Sequence, residues 1–378
     1  MKVLYIGCYR DGTGWAQAAV DYILSMDAAG IDVVPRPVKL NERKPELPQR
    51  ILELEKKSDK NCDVCVQHVL PHMLDYNGRF KKNIILYATE TSNFKRSIWA
   101  ERINQMDEAW VINNEMKTVA ESSGVEIPVK IVPHACDVSK FRKEYEEIDI
   151  PNARENFIFY TIGEFTRRKN LSSFIRAFHT EFSPEEPVSI IIKTHQYGVP
   201  PENCRDQVRE MCLNIKAGLK LYPSTDDFTE DLIITDYLSE ETIMCLHQAC
   251  DCFVMPSYGE AWCIPAFDAM GFGNTPICTD VGGMADFMNK GEGILVSSRE
   301  EPVFGMIDTF NDLYTAKENW QSIDPIGLQK AMRYVYDLYN NDTTDAHKKM
   351  KEKGKNRVEE YSHENIGSLM RTLLEDVN

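Results

Sequence analysis

Four consecutive pieces, residues 252–255, 256–263, 264–272 and 275–279, constrain this chain more than any other stretch. Cys252-Phe-Val-Met255 and Thr275-Pro-Ile-Cys-Thr279 read as short buried strands. A helix of about two to three turns fits between them, with Pro265 in its first turn, where a missing N–H costs nothing. Glu260 then falls in the loop at the carboxyl end of a strand, which is where ligands bind in open α/β sheets. Asp268 falls on the helix that follows. The amides of Trp262, Cys263 and Ile264 are donors at a helix start and suit an anion. Two carboxylates flanking such amides suit a ligand with hydroxyls at both ends and a negative middle, as in a nucleotide-sugar. Alone, Glu260 would read as a solvated loop acid; the strand-loop-helix pattern around it favours the ligand.

The same alternation runs through the chain. Residues 3–8 are apolar enough for a buried parallel strand. A helix with Trp15, Ala18, Ala19, Tyr22, Ile23 and Leu24 at helical spacing follows, and 31–34 form the next strand. This opens a doubly wound α/β domain. Gly12-x-Gly14 allows backbone to approach a phosphate or sugar, or is simply a tight turn. It is no dinucleotide fingerprint, because Gln17 stands where a third glycine belongs. Residues 40–62 read as loop plus a polar helix. Further strands are expected at 64–66, 84–87, 107–112 and 129–132. Glu90 follows one of them, either as a catalytic acid or as the cap of a helix expected over 93–104.

Residues 143–155 are acidic, contain Pro151 and lack periodicity, so the domain boundary is expected there: 1–150, then 151–359. The second domain opens with a strand at 157–162 and the turn Gly163-Glu-Phe-Thr-Arg-Arg-Lys-Asn170. Adjacent cations at a helix start oppose the helix dipole. Either they serve a bound anion, which gains from the same helix end, or they are a solvated basic turn. Strands are expected at 189–193 and 232–235, with 293–296 as the last. Helices are expected at 202–217, up to Ala249 from a capping-type start at 238–241, at 326–340, 344–359 and 366–374.

A chain of 378 residues has room for two domains. The net charge of −16, from 43 basic and 59 acidic residues, argues against broad nucleic-acid binding. No apolar run is long enough to span a bilayer, and the opening Met-Lys-Val-Leu-Tyr-Ile-Gly reads as a strand, not a signal peptide. Eleven scattered cysteines read as reduced thiols, with Cys62-x-x-Cys65 lacking a second pair at zinc-ligand spacing. A cytoplasmic protein is expected.

The run Ser-Tyr-Gly-Glu260-Ala-Trp-Cys-Ile-Pro-Ala-Phe-Asp268 through Val281-Gly-Gly283 resembles the Glu-x7-Glu signature of retaining glycosyltransferases of family 4. The resemblance extends to Gly163-x4-Arg168-Lys169-Asn170 and to Pro133-His134-Ala-Cys-Asp137 with Phe141, where the family's usual glycine is Ala135. It implies a GT-B fold: two Rossmann-like α/β domains facing across a cleft, with a C-terminal helix near 360–378 packed back on the acceptor-side first domain. It implies transfer of a sugar from a UDP- or GDP-sugar to a hydroxyl, such as that of a glycan, with retained anomeric configuration. Arg168 and Lys169 would hold the diphosphate, Glu260 the donor sugar and Asp268, one methylene shorter than the family's glutamate, the ribose. Gly12 and Gly14 would face the donor, and Glu90 and His134 the sugar or acceptor. Asp137 reads mainly as a helix cap. Neither a metal nor a cofactor is expected, since cations do the metal's work. The alternatives are a non-catalytic nucleotide-sugar-binding protein and a nucleotide-sugar epimerase.

Overall fold

The computed structural model describes residues 1–39, 45–148, 150, 155–307, 309–341 and 345–375. The start of the loop expected at 40–62, part of the boundary at 143–155 with Pro151, residue 344 and the last three residues lie outside the described residues. The chain divides into two compact units: Met1–Lys140 with Phe310–Glu318 and Glu359–Asn378, and Phe141–Thr309 with Asn319–Val358.

The first unit runs β1 (Lys2–Gly7), α1 (Gly14–Ala28), β2 (Asp32–Pro37), α2 (Gln49–Glu55), β3 (Val64–His68), β4 (Lys82–Leu86), α3 (Trp99–Ile103), β5 (Glu108–Val111), α4 (Asn114–Ser122) and β6 (Val129–Ile131). Among the described residues, its strands form one parallel sheet in the order β2-β1-β3-β4-β5-β6. The strands are rich in Val and Ile and buried on both faces, as helices covering a parallel sheet require. Thr13 caps α1 by accepting from the Ala16 amide, and Asn113 caps α4 by accepting from the Met116 amide.

The second unit runs β7 (Phe157–Glu164), α5 (Leu171–Glu181), β8 (Val188–His195), α6 (Pro201–Leu219), β9 (Asp231–Ile234), α7 (Glu240–Ala249), β10 (Cys252–Met255), α8 (Ile264–Phe272), β11 (Thr275–Thr279), α9 (Gly282–Phe287), β12 (Ile294–Val296), β13 (Ser298–Pro302), β14 (Asn319–Ile323), α10 (Pro325–Asn341) and α11 (Ala346–Glu359). Its parallel sheet has the order β12-β11-β10-β7-β8-β9. The first strand, β7, sits mid-sheet. The chain adds β8 and β9 on one side and then returns to place β10 on the other. The strand order therefore reverses between β7 and β10, the point where open α/β sheets bind ligands. One face of this sheet is filled by an aromatic and aliphatic core that includes Phe159, Phe174, Phe178, Phe182, Ile190 and Ile192.

The last helix, α12 (His363–Glu375), belongs to the first unit and packs on α1. A Cβ on Gly367 would lie 2.1 Å from the Ser25 carbonyl oxygen, so the two helices approach as closely as they do only over bare backbone.

Three expectations are corrected. Helix 93–104 is reduced to α3, because the Asn93 side chain accepts from the Lys95 amide and turns the chain there. Glu90 therefore does not cap this helix, whose N-cap is Ile98. β12 is not the last strand: β13 and β14 form an antiparallel pair. Their sequences, SREEP and NWQSI, carry no apolar run to announce them. The cations of the 163–170 turn do not open α5 but occupy a separate 3-10 turn, Arg167–Lys169, closed by Asn170 at φ 52°.

Candidate functional site

The β7–β10 reversal carries the largest set of residues singled out in the sequence. After β7 the chain makes the basic turn, and after β10 it makes the loop holding Glu260. Backbone and amide contacts join the two before any charges meet. The Tyr258 amide donates to the Arg168 carbonyl at 2.9 Å, and Asn170 Nδ2 donates to the Pro256 carbonyl at 3.0 Å. The left-handed conformation of Asn170, tolerated by a short polar side chain, aims that amide across the gap.

On this frame Lys169 Nζ lies 2.6 Å from Glu260 Oε1, and Ser257 Oγ donates to the same oxygen at 2.8 Å. Arg168 Nη1 donates to the Gly259 carbonyl at 2.6 Å and stands 3.3 Å from Glu260 Oε1. The Glu260 side chain is 6% exposed, against 16% and 17% for Arg168 and Lys169. Burial alone would raise its pKa, but the charges of Lys169 and Arg168, with hydrogen bonds from Lys169 and Ser257, outweigh it and bring the carboxyl down to about 2. Glu260 is thus a fixed anion at neutral pH, and two cations stand against it.

The back of the Glu260 loop is moulded on α9. Gly282 has φ 56°, and a Cβ there would lie 1.9 Å from the Glu260 carbonyl oxygen. A Cβ on Gly283 would lie 2.4 Å from Trp262 Cα, and the Gly283 amide donates to the Glu260 carbonyl at 3.1 Å. Only glycines permit this approach. Trp262 packs on Phe267 and Phe287, with ring centroids 5.6 and 5.0 Å away. Cys263, at the α8 N-cap, has φ 73°, a costly conformation for a residue with a Cβ. Burial, with Glu260 nearby, pushes its thiol up to about 12, so it is no nucleophile at neutral pH. Ile264 and Pro265 open α8, and Asp268 lies on it, 3% exposed.

Other contributors gave no sequence signal. The Tyr258 and Trp320 rings stack at 4.4 Å and 13°, and the Gln321 amide donates to the Tyr258 carbonyl at 2.8 Å, so β14 braces the loop from outside. The Arg167 guanidinium lies 5.4 Å from the Tyr258 ring centroid. Ser257 follows the last apolar residues of β10 and could have been found only as a polar residue beside an acid.

The first unit holds the remaining residues. Its strand order reverses between β1 and β3, and Gly12 (φ 62°) and Gly14 lie in and after the β1 loop there. Glu90 follows β4, where its Oε2 accepts from Tyr314 Oη at 2.6 Å. His134, 2% exposed, has Nε2 3.6 Å from Asp21 Oδ2. Burial lowers its pKa to about 4, despite the opposing pull of Asp21. Asp137 accepts from the Ser139 amide at 3.0 Å and caps the short 3-10 turn Val138–Arg142.

Residues 224–307 match the family model described as glycosyl transferases group 1. This group 1 segment contains Glu260, Trp262 to Ile264, Asp268 and the two glycines, while Arg168 and Lys169 lie before it. No curated protein matches the chain by sequence. Among solved structures, sucrose-phosphate synthase from Thermosynechococcus elongatus superposes with a TM-score of 0.67 at 13% identity, covering 100% of this chain and 99% of that one. Anabaena HepE in complex with UDP-glucose gives 0.64 at 12% identity, covering 100% of both chains. The E. coli trehalose-6-phosphate protein bound with UDP-2-fluoro glucose gives 0.68 at 8% identity, covering 100% and 99%. At such identities the likeness shows the fold, GT-B, and nothing finer. No helix among the described residues is long and apolar enough to cross a membrane.

Proposed function

We propose that the chain is a retaining glycosyltransferase that moves a hexosyl group from a nucleoside-diphosphate sugar to a hydroxyl acceptor such as a glycan. The observation that carries this reading is the Arg168–Lys169–Glu260 cluster at the β7–β10 strand-order reversal. The group 1 match over the Glu260 loop supports it. The HepE and E. coli structures hold UDP-sugars, which makes a UDP-sugar the first donor to test.

The difficult step is departure of the diphosphate while positive charge develops at the anomeric carbon. Cations held in place before the reaction stabilise that charge separation without reorganising. Lys169 and Arg168 are so held, by Glu260 and by the Gly259 carbonyl. As the bond from the anomeric carbon to the phosphate oxygen breaks, the acceptor oxygen bonds to the same face and its proton passes to the departing phosphate. Glu260 takes sugar hydroxyls and favours positive charge nearby. Asp268 takes the ribose, and the amides at Trp262 to Ile264 take phosphate oxygens. Gly12 and Gly14 are further candidate donor contacts, and Glu90 and His134 candidate acceptor contacts. The two cations supply the charge that a divalent metal would, so turnover is expected to survive chelation. Eleven buried, free cysteines support a reducing, cytoplasmic setting.

Thermal shift with UDP, GDP and their common sugars, followed by measured nucleotide release, tests the reading. A ligand that binds only the native state raises Tm. One nucleotide is expected to do so in the wild type and not in Lys169→Ala. In Lys169→Ala or Arg168→Ala, turnover is expected to fall by roughly two to three orders of magnitude. No shift with any nucleoside diphosphate, or near-normal turnover in both variants, would overturn the assignment.

A further inference from the structure

The chain leaves the second unit after Thr309, contributes Phe310–Glu318 to the first, and returns at Asn319 to form β14. This strap is anchored at both ends of its first turn. The Phe310 ring lies 5.5 Å from that of His72 and 6.5 Å from that of Trp99, and Leu313 is 5% exposed. The next turn is braced from within. Glu318, fully buried, accepts from the Thr315 amide at 2.7 Å and from Thr315 Oγ1 at 2.6 Å. Between anchor and brace stands Tyr314, whose hydroxyl donates to Glu90 Oε2 at 2.6 Å.

We propose that Tyr314 is a positioning residue for Glu90, and that the strap exists to deliver it to the acceptor side of the reaction. The inference rests on the function proposed above, in which Glu90 faces the acceptor. Glu90 sits in a loop after β4, outside any helix or strand, and does not cap α3. A carboxylate on a loop has rotamer freedom that must be removed before it can orient a hydroxyl. A phenol hydrogen-bonded to one oxygen restricts the plane of the carboxylate. Tyr314 itself precedes a turn that Glu318 Oε2 closes on Thr315, so little ordering remains to be done when the acceptor arrives. The alternative, a tyrosine that merely secures the strap, predicts a loss of stability with turnover per folded molecule unchanged.

The test measures release of nucleotide from UDP-glucose and from GDP-mannose, with free mono- and disaccharides as the acceptor panel. It compares wild type, Tyr314→Phe, Glu90→Gln and the double variant. Tyr314→Phe keeps the ring, so the strap stays seated. It is expected to lower kcat about tenfold, the scale for one hydrogen bond to a charged group, with donor KM within about twofold of wild type. The double variant is expected to be no slower than the slower single variant, because both changes remove one unit. A wild-type kcat in Tyr314→Phe, losses that multiply, or a loss that appears in donor KM alone would overturn the proposal. If the proposed function itself is wrong, the wild type releases no nucleotide, or Lys169→Ala releases it normally, and the role of Tyr314 falls with it.

Discussion

At the scale of single residues, the site is a problem in placing one buried negative charge. Glu260 loses hydration on burial and recovers it from Lys169 at 2.6 Å, Arg168 at 3.3 Å and the Ser257 hydroxyl. Removing one partner of such a pair is worse than removing both, because the remaining charge keeps its desolvation cost. Lys169→Met is therefore expected to destabilise the protein by about 2–3 kcal/mol. That is less than the roughly 3–5 kcal/mol typical of a fully broken pair, because Arg168 remains. Glu260→Gln added to Lys169→Met is expected to restore part of the loss. The pH dependence has a fixed sign. The folded pKa, about 2, lies below the ordinary glutamate value of 4.5. The contribution is therefore complete above about 4.5 and is lost as pH falls toward 2. In Lys169→Met, which removes the chief charge holding the pKa down, the folded value moves toward 4.5, so the window closes at a higher pH and the acid-dependent loss is expected to be smaller than in wild type. Urea unfolding at pH 7 and pH 4 checks both points; equal stability of the single and double variants at pH 7 would contradict the account.

At the scale of elements, function depends on how closely α9 fits the Glu260 loop. Gly283→Ala would place a methyl 2.4 Å from Trp262 Cα, which is backbone and cannot swing away. A loss of about 1–3 kcal/mol is expected, the usual cost of overpacking, together with loss of the nucleotide-induced rise in Tm as the loop is displaced. Gly218→Ala, in α6 with nothing within 4 Å of the added methyl, is the control and is expected to be neutral or stabilising. A Gly283→Ala protein as stable and as responsive as wild type would show that the loop has slack. This fit also marks what a sequence can and cannot disclose. Strands β10 and β11 and helix α8 were legible because buried apolar runs and a first-turn proline follow from local chemistry. Glu260, Arg168 and Lys169 were legible as residue types at strand ends. That Lys169 would rest on Glu260, and that Trp320 would stack on Tyr258, was not, since each contact joins distant segments without a periodic signal. β13 and β14 stayed hidden because pairing at an exposed edge needs no apolar run. Helix 93–104 was overread because apolar spacing says nothing of an Asn93 side chain that competes for the backbone.

At the scale of the whole molecule, the first unit carries an acid sensitivity that its own burial creates. His68 is 1% exposed, its Nδ1 lies 2.7 Å from Tyr5 Oη, and the Trp15 ring lies 4.7 Å from its own. Burial, with His134 as a second cause, lowers its pKa to about 3. His134 lies against Asp21, which also accepts from His363, and against Lys140; burial dominates and lowers its pKa to about 4. Both folded values lie below that of an unfolded histidine, 6.5. The unfolded chain therefore binds protons that the folded chain refuses between about pH 6.5 and 4. Stability from this source is complete above pH 6.5 and falls as the solution is acidified, by up to about 1.4 kcal/mol per pH unit for each histidine. From pH 7 to pH 5 the two together account for a loss on the order of 3 kcal/mol. Glu260 contributes nothing to that change, because its window begins below pH 4.5. Gln at either position keeps a polar group and removes the titration. His68→Gln with His134→Gln is therefore expected to flatten the pH 7 to pH 5 slope of the first unfolding transition, whatever it does to stability at pH 7. The slope, not the absolute stability, is the discriminating quantity, since a substitution that only loosens packing shifts the whole curve and leaves its steepness unchanged. An undiminished slope in the double variant would move the acid sensitivity to other groups.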